Sequence, residues 1–331
     1  MIALSLSVCF IIIYLCACGA GVERREASSE IEIQTREPLD AEETESVLPD
    51  GYINYQGTLY APRKNLETIL LMGLDKHKMK TETIGYTNTM QSDFLLLLVL
   101  DRKNGVCEIL HLDRETMTQI PKLGIGGASS GSYLAQLCLA HTYGSGGSDS
   151  AFNTMKAVSW LLGGQHIDHY MTLTMDGVAR INDMVGGVTV VVPQDLTSVD
   201  PELEEGREIT LKGEQALWFV RARFTLEDSS NCSRMERQEV YLKAFYEKLR
   251  SCMRKDPDFA AKLVLKTGEM FTTDYSASGL EELFEILENV EVRPFGRLEG
   301  KTVRGEEFME FYPDQDALQE TILKLFYGME A

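Results

Sequence analysis

The clearest pattern in the chain is a series of long apolar runs, each bounded by polar or turn-forming residues. Two of them, Asn65 to Asp75 and Asp93 to Asp101, are almost continuously hydrophobic, as expected of strands buried on both faces of a sheet. A third run, Val106 to Asp113, follows the second after an Asn-Gly pair, which is a strong signal for a hairpin turn. The pattern predicts three neighbouring strands, the last two paired antiparallel.

Amphipathic segments alternate with further strand-like runs through the rest of the chain. Helical spacing of apolar residues predicts helices at Asp149 to Leu162, Gly177 to Met184, Leu211 to Leu217, Met235 to Leu249, Leu280 to Leu287 and Asp316 to Tyr327. Strands are predicted at Ile167 to Thr174, Gly187 to Val192 and Val290 to Val292. Lys122 to Ser132 is expected to be a Gly/Ser-rich loop and Tyr133 to His141 a helix. This alternation predicts an α/β sandwich.

The start of the chain has a different pattern. Ile2 to Val22 is an apolar run long enough for one membrane crossing or for a signal sequence. Within it, Leu15 to Cys18 resembles a bacterial lipobox, in which Cys18 would carry the lipid. A signal-anchor helix and a lipid anchor remain open as alternatives, and both leave the rest of the chain outside the membrane.

Composition separates an acidic linker from a globular part. The segment Glu26 to Asp50 carries nine acidic residues against one arginine and few large apolar side chains, as is typical of a solvated linker. We therefore divide the chain into a membrane segment (1–22), a flexible linker (23–51), a main α/β domain (52–250) and a C-terminal extension packed on its core (251–331). The net charge of -19 argues against a nucleic-acid partner, because such binding needs a broad basic surface.

Four arginines lie within seventeen residues of this acidic chain. Arg221 and Arg223 would share one face of a strand, whereas Arg234, Arg237 and Gln238 would share one side of a helix. Guanidinium groups bind phosphate in a bidentate manner, so the cluster predicts an anion site. The alternative is a set of surface ion pairs with the nearby carboxylates Glu227, Asp228, Glu236 and Glu239.

Two aspartates flank the first two predicted strands. Asp75 ends one strand and Asp93 opens the next, so antiparallel pairing would bring both carboxylates to one edge of the sheet. Arg114, just after the hairpin, is expected at the same edge. Two carboxylates beside a phosphate site are a usual way to hold Mg²⁺. The alternatives are turn or capping roles for the aspartates and an ion pair of Arg114 with Asp113 or Glu115.

From Asn65 to Leu249 these motifs resemble, in order, those of the LytR-CpsA-Psr family of bacterial cell-envelope proteins. NLETILLMGLD resembles its opening strand with an acidic end, QSDFLLLLVLD its Arg-Ser-Asp motif, and LDRETMTQIP its Pro-Arg-Asp-Thr segment. IDHYMTLTMDGVARINDMVGGVTVVVP is similar to the family's central strand-helix-strand unit. LKGEQALWFVRARF and SRMERQEVYLKAF resemble its most characteristic motif. The resemblance implies an α-β-α sandwich with a central mixed sheet.

The family resemblance also implies a function. It is that of a phosphotransferase on the outer face of the cytoplasmic membrane, anchored by the N-terminal segment. Such enzymes transfer a glycopolymer, such as a teichoic acid or a capsular polysaccharide, from an undecaprenyl-pyrophosphate carrier to peptidoglycan. By position in the motifs, Asp75 and Asp93 would bind Mg²⁺. The pyrophosphate would be contacted by Arg114, Arg221, Arg223, Arg234, Arg237 and Gln238. The run Phe94 to Leu100 would wall a groove for the prenyl chain or, alternatively, form ordinary sheet core.

Two positions depart from the family pattern. Gln91 stands where the family commonly has Arg, and Gln136 stands where Lys is frequent. Both are expected in the substrate site, and Lys78 or Lys80 would be candidates to replace the missing cations. A non-catalytic polyprenyl-pyrophosphate-binding regulator and a polyprenyl pyrophosphatase therefore remain alternative functions.

Overall fold

The computed structural model describes residue 49 and residues 51–76, 87–124, 127–222 and 231–329. Several predictions lie outside these residues, namely the membrane segment, Cys18, nearly all of the linker, Lys78, Lys80 and Arg223. Among the residues described, no helix combines the length and the apolar character needed to cross a membrane.

Most of the predicted strands and helices are present in the predicted order, together with further elements that the sequence pattern did not predict. The strands are β1 (Ile53–Tyr55), β2 (Thr58–Pro62), β3 (Leu66–Leu74), β4 (Ser92–Asp101), β5 (Val106–Leu112), β6 (Met117–Leu123), β7 (Ser129–Gln136), β8 (His169–Thr174), β9 (Val188–Val191), β10 (Glu208–Leu211), β11 (Phe271–Thr273), β12 (Glu291–Arg297), β13 (Gly300–Arg304), β14 (Met309–Pro313) and β15 (Tyr327–Met329). The helices are α1 (Ser148–Leu161), α2 (Met175–Met184), α3 (Glu214–Arg221), α4 (Asn231–Lys255), α5 (Phe259–Thr267), α6 (Ala277–Asn289) and α7 (Gln315–Phe326), with a 3₁₀ helix at Leu137–Thr142.

A six-stranded mixed sheet forms the centre, in the order β11-β8-β3-β4-β5-β12. The β8–β3 and β5–β12 pairs are parallel and the other three pairs are antiparallel. The predicted hairpin is confirmed, since Asp101 pairs with Val106 across the turn and Gly105 adopts a positive φ of 64° there. The turn thus uses the backbone freedom that its glycine provides.

Alternate residues of the central strands build two separate hydrophobic cores. On β3, Ile69 and Leu71 belong to the core shared with α2 to α6, while Leu70 and Met72 belong to the core shared with α1 and α7. Burial on both faces explains why these strands are almost continuously apolar in sequence. The layers are helix, sheet and helix, so the predicted α-β-α sandwich with a mixed central sheet is confirmed.

Two predictions about the chain between β6 and α1 need correction. The segment Tyr133 to His141 is not one helix, because its first part belongs to β7 and only Leu137–Thr142 is helical, as a 3₁₀ turn. Part of the predicted Lys122 to Ser132 loop also lies in β7. The reason is tertiary: β7 pairs with β6, and this pairing decides the conformation where side-chain periodicity is weak.

The predicted domain boundary at residue 250 falls inside α4. Beyond it, β11 pairs with β8 at one edge of the central sheet and β12 pairs with β5 at the other. The chain after residue 250 therefore contributes both outer strands of the sheet, and its helices α5, α6 and α7 pack on the two cores.

Candidate functional site

The floor of the site is the edge where β3 ends and β4 begins. Gly73 pairs with Phe94 and Leu74 pairs with Ser92, which leaves Asp93 as the extra residue of a β-bulge. A bulge re-aims the side chain of its extra residue. Glycine is required at position 73, since a Cβ there would come within 2.9 Å of the Phe94 Cβ. The amide of Asp75 donates to the Gln91 carbonyl at 2.8 Å, so both aspartates meet at one edge, as expected.

Two arginines from different elements hold the Asp93 carboxylate. Arg114 follows β5, and its Nε lies 3.1 Å from Asp93 Oδ1. Arg234, in the first turn of α4, has Nη1 3.6 Å from Asp93 Oδ2, and its side chain is only 4% exposed. Arg234 also donates to the Asn231 side chain, which fixes its orientation. These contacts place a buried, rigid pair of guanidinium groups around one carboxylate.

Arg221 lies in a helix rather than in the strand that the spacing suggested. It is the last residue of α3, and its Nη2 donates to Asp75 Oδ1 at 2.9 Å. Both side chains are roughly half exposed, 48% for Arg221 and 38% for Asp75. An ion pair of this exposure is weak and exchangeable. Arg221 is therefore held less firmly than the buried Arg234.

Arg237 does not face this site, which corrects its expected contact with a pyrophosphate. It is 0% exposed and donates to the carbonyl of Phe219 at 3.0 Å, to the carbonyl of Ala222 and to Gln194 Oε1 at 2.9 Å. The last carbonyls of a helix have no partner within that helix, and Arg237 satisfies them at the end of α3. Gln238 has a related role, since its Nε2 donates to the Val220 carbonyl at 3.3 Å.

The two glutamines at the departures from the family pattern are both engaged within the protein. Gln91 Oε1 accepts a hydrogen bond from Arg114, and Gln136 Nε2 donates to the Met309 carbonyl at 2.7 Å. Arg114 also donates to Cys138 Sγ at 3.1 Å. Burial raises the pKa of Cys138 to about 11 despite this guanidinium, so the thiol is neutral at neutral pH. Gln91 and Cys138 therefore orient Arg114, whereas Gln136 contacts the backbone at Met309.

A cavity of about 810 Å³ opens above these side chains. It is lined by the predicted residues Asp75, Asp93, Arg114, Arg221, Arg234, Gln91 and Gln136. The sequence reasoning missed other lining residues, which are Glu115, Leu139, Val199, Trp218, Ala222, Arg304, Glu307, Phe308 and Met309. Four of these come from the hairpin of β13 and β14, more than sixty residues beyond the arginine cluster. No local sequence signal marked that hairpin, because its pairing with the site is a long-range contact.

An apolar slot continues from this cavity between the sheet and the helices α2, α3 and α4. A space of about 70 Å³ shares Asp93, Arg221 and Arg234 with the large cavity. It shares Phe94 and Val220 with a further space of about 100 Å³. That inner space is lined by Leu71, Gly73, Phe94, Leu173, Val178, Ile181, Val220, Gln238, Tyr241, Leu242 and Phe245. From the predicted wall at residues 94–100 only Phe94 lines the slot, and the leucines after it are buried in the two cores.

Asp75 and Asp93 are the carboxylates in the cavity that the sequence predicted as metal ligands. Within the described segments, no group of three or more His, Cys, Asp or Glu side chains is arranged to hold one. Asp93 Oδ1 is nevertheless buried and, among the residues described, has no aligned hydrogen bond. Mg²⁺ needs only one or two carboxylates when phosphate oxygens and water complete its coordination. Asp75 and Asp93 therefore fit a metal that arrives with a phosphate ligand.

A family model covers residues 28–324, a range that contains all of these cavity residues. The chain belongs to the LytR_cpsA_psr family. This range extends the resemblance beyond α4 to the strands β11 to β14. The contribution of the β13–β14 hairpin to the cavity thus lies within the family region.

Curated relatives from this family are teichoic acid transferases by name. The polyisoprenyl-teichoic acid–peptidoglycan teichoic acid transferase TagV of Bacillus subtilis is 27% identical over 204 residues, 60% of this chain and 47% of TagV. The corresponding TagU of Halalkalibacterium halodurans is 25% identical over 216 residues, 65% of this chain and 63% of TagU. The chain thus spans under half of the first relative and under two thirds of the second.

Solved structures of the family share the fold. The structure of TagT bound to LIIa-WTA covers 79% of this chain and 90% of its own, with a TM-score of 0.60 and 24% identity. The crystal structure of B. subtilis TagV covers 79% of this chain and 97% of its own, with a TM-score of 0.59 and 25% identity. The mixed sheet with helices on both faces is therefore the architecture of the family.

Proposed function

We propose that this protein transfers a glycopolymer from a polyprenyl-pyrophosphate carrier, of the undecaprenyl type, to peptidoglycan. The observation that carries the proposal is a cavity in which two aspartates and three arginines adjoin an apolar slot. Such a site matches a ligand in which an anionic group is joined directly to a hydrocarbon chain. The names of the curated relatives, which pair a polyisoprenyl carrier with teichoic acid and peptidoglycan, agree with this chemistry.

In this proposal the arginines bind the pyrophosphate in two different ways. Arg114 and Arg234 are held by neighbouring side chains and supply fixed positive charge. Arg221 leaves its exposed pair with Asp75 and turns toward the phosphate. Pre-organised charge of this kind stabilises a transition state without reorganisation at the moment of reaction.

The prenyl chain enters the slot, whose walls are almost entirely apolar. Phe94, Tyr241 and Phe245 line it beside aliphatic residues of α2 and β8. Burying hydrocarbon there releases about 0.8 kcal/mol for each CH₂ removed from water. The slot thus holds the lipid while the phosphates remain beside Asp93 and the arginines.

Mg²⁺ is the proposed cofactor, held by Asp75 and Asp93. When bound, it neutralises charge on the pyrophosphate oxygens, which is the main requirement of phosphoryl transfer. Separation of Arg221 from Asp75 would free one cation for the phosphate and one carboxylate that would hold the metal.

The reaction exchanges the phosphoanhydride bond of the carrier for a phosphodiester bond to peptidoglycan. A hydroxyl oxygen of a peptidoglycan sugar forms a bond to the phosphorus that carries the glycan, and the bridging P–O bond of the pyrophosphate breaks. Polyprenyl monophosphate leaves with the bonding electron pair, and the hydroxyl proton passes to a base or to solvent. Arg114 and Arg234 stabilise the charge that develops on the leaving phosphate. We place this reaction at the outer face of the cytoplasmic membrane, with residues 1–22 as the anchor.

The test is a transfer assay with the full chain purified in detergent. The substrates are peptidoglycan and a polyprenyl-pyrophosphate-linked disaccharide labelled in its sugar, and Mg²⁺ is added. We expect the labelled sugar to become attached to peptidoglycan, with one polyprenyl monophosphate released for each glycan transferred. Arg114→Ala should lose both products, whereas Arg293→Ala, which removes an exposed arginine of β12 paired with Glu291, should keep them.

The alternative functions give different results in the same assay. Binding of the carrier with no released monophosphate would indicate a non-catalytic regulator. Release of monophosphate at an equal rate without peptidoglycan would indicate a pyrophosphatase. Either result would overturn the proposed transfer.

A further inference from the structure

The hairpin of β13 and β14 forms one wall of the cavity that contains Asp93 and its arginines. Its strands pair antiparallel from Gly300 with Pro313 to Arg304 with Met309. The end of the hairpin brings Arg304, Glu307 and Phe308 to the cavity. None of these residues lines the apolar slot.

Contacts along β14 hold this hairpin beside Arg114. Gln136 Nε2 donates to the Met309 carbonyl at 2.7 Å, and the Phe311 amide donates to the Glu115 carbonyl at 2.9 Å. Phe311 also pairs with Thr116 and is buried in the second core. The hairpin is therefore an ordered wall, and Gln136 is one of the groups that position it.

The side chains on this wall have the chemistry of a sugar-binding surface. Phe308 is 60% exposed and Trp218, from α3, is 42% exposed, although both line the same cavity. Glu307 and Arg304 line the same cavity and supply hydrogen-bond acceptors and donors. Flat apolar rings beside polar groups suit a pyranose, which has an apolar face and a rim of hydroxyls.

The position of the wall agrees with that chemistry. The slot shares Asp93, Arg221 and Arg234 with the cavity, so a lipid in the slot leads to the phosphates at those residues. A sugar attached to the phosphate, or one attacking it, must then occupy the rest of the cavity. That remaining part is bounded by Trp218 and the hairpin.

We propose that Trp218, Phe308 and Glu307 form a subsite that binds a pyranose ring, with Gln136 as the residue that positions its wall. This inference rests on the proposed function, since it takes the cavity to be a pyrophosphate site. The ring belongs either to the carrier-linked glycan or to the peptidoglycan acceptor, and the two sources are distinguished by experiment.

Trp218 provides a direct reporter of binding. The chain has two tryptophans, and Trp160→Phe removes the one that lies outside the cavity. Full-length Trp160→Phe protein is titrated with three ligands while its fluorescence is recorded. These are N,N′-diacetylchitobiose as a free amino-sugar disaccharide, farnesyl pyrophosphate, and farnesyl pyrophosphate linked to N-acetylglucosamine.

Phe308→Ala in this background is expected to weaken sugar binding about tenfold, the loss that corresponds to one aromatic contact. It should leave the affinity for farnesyl pyrophosphate unchanged. Tyr312→Ala is the matched control, because it removes an exposed ring from the same hairpin outside the cavity. Gln136→Ala should weaken sugar binding as well, and Gln136→Lys, which restores a donor, should recover it.

The ligands also separate the two sources of the ring. A Phe308-dependent response to the free disaccharide assigns the subsite to the acceptor, and a response to the linked sugar alone assigns it to the donor. The proposal is wrong if Phe308→Ala weakens the affinity for farnesyl pyrophosphate as much as the affinity for the sugars. It is also wrong if Phe308→Ala changes the affinity for neither sugar ligand. If sugar binding depends on Phe308 but the protein transfers no glycan, the proposed function is wrong and the subsite stands. If Phe308→Ala keeps normal transfer and normal sugar affinity, the subsite is wrong and the proposed function stands.

Discussion

The two ends of the β3–β4 strand pair both carry carboxylates paired with arginine, but one cluster is closed by hydrogen bonds and the other borders a cavity. At the end away from the cavity, Glu67 accepts from Arg102 and from the Tyr275 hydroxyl, both at 2.6 Å. The His169 ring stacks on Tyr275 with centroids 3.9 Å apart. At the cavity end, Asp93 pairs with Arg114 and Arg234 at longer distances, 3.1 and 3.6 Å.

The two ends differ in whether the ion-paired groups adjoin a cavity. The Glu67 cluster is closed by short hydrogen bonds and adjoins none of the cavities described above. Asp93 keeps a buried oxygen without an aligned hydrogen bond, and its arginines line about 810 Å³ of open space. Arginine–carboxylate pairs alone do not identify a site, because they stabilise a fold at one end of the strand and adjoin open space at the other.

The largest expected effect is a loss of transfer activity when an arginine at the cavity end is replaced. Arg221→Ala should reduce transfer roughly 100- to 1000-fold, since it removes one charge from the phosphate site. Its unfolding free energy should change by about 1 kcal/mol or less, because its pair with Asp75 is exposed. Arg102→Ala is the matched control and should keep normal transfer. Equal loss of transfer in both variants would show that the comparison is wrong.

The next largest effect is a loss of stability when the Glu67 cluster, at the end away from the cavity, is broken. Glu67→Ala removes the buried carboxylate that accepts from Arg102 and leaves the Tyr275 hydroxyl without its acceptor, and should lower the unfolding free energy by about 3 kcal/mol. Chemical denaturation measures this. Glu282→Ala, which removes the exposed partner of Arg102, should change stability by about 0.5 kcal/mol at most. A Glu67→Ala protein that is as stable as the wild type would contradict the closed-cluster interpretation.

The smallest effect concerns pH. Burial opposes the charge of Asp101, but hydrogen bonds from Arg63 and Asn104 outweigh it and lower the pKa of this carboxyl to about 2. Because the folded pKa lies below the unfolded value of 3.8, the stabilisation is present above about pH 4 and is lost as the pH falls toward 2. Asp101→Asn should therefore cost about 2 kcal/mol at pH 7 and progressively less below pH 4. Urea titrations at several pH values measure it, and a difference that does not vary with pH would refute the assignment.

Much of this site could be predicted from short-range patterns. Asp75 and Asp93 were expected at one sheet edge because adjacent antiparallel strands bring the end of one beside the start of the next. Arg114 followed from the hairpin turn in the same way. Arg237 was predicted wrongly as a site residue, since helical spacing puts Arg234 and Arg237 on one side of α4 but does not say what that side contacts.

The sequence by itself determined the strands β3, β4, β5 and β8, the hairpin, the edge where the aspartates meet and the family. These depend on apolar runs and turn residues that act over a few positions. The tertiary structure alone decided which arginines face open space, how the Asp93 bulge aims its carboxylate, and which hairpin closes the cavity. Gln136 and Met309 are 173 residues apart and touch only after the sheet and both cores have formed. Contacts of this range depend on packing, which no local pattern encodes.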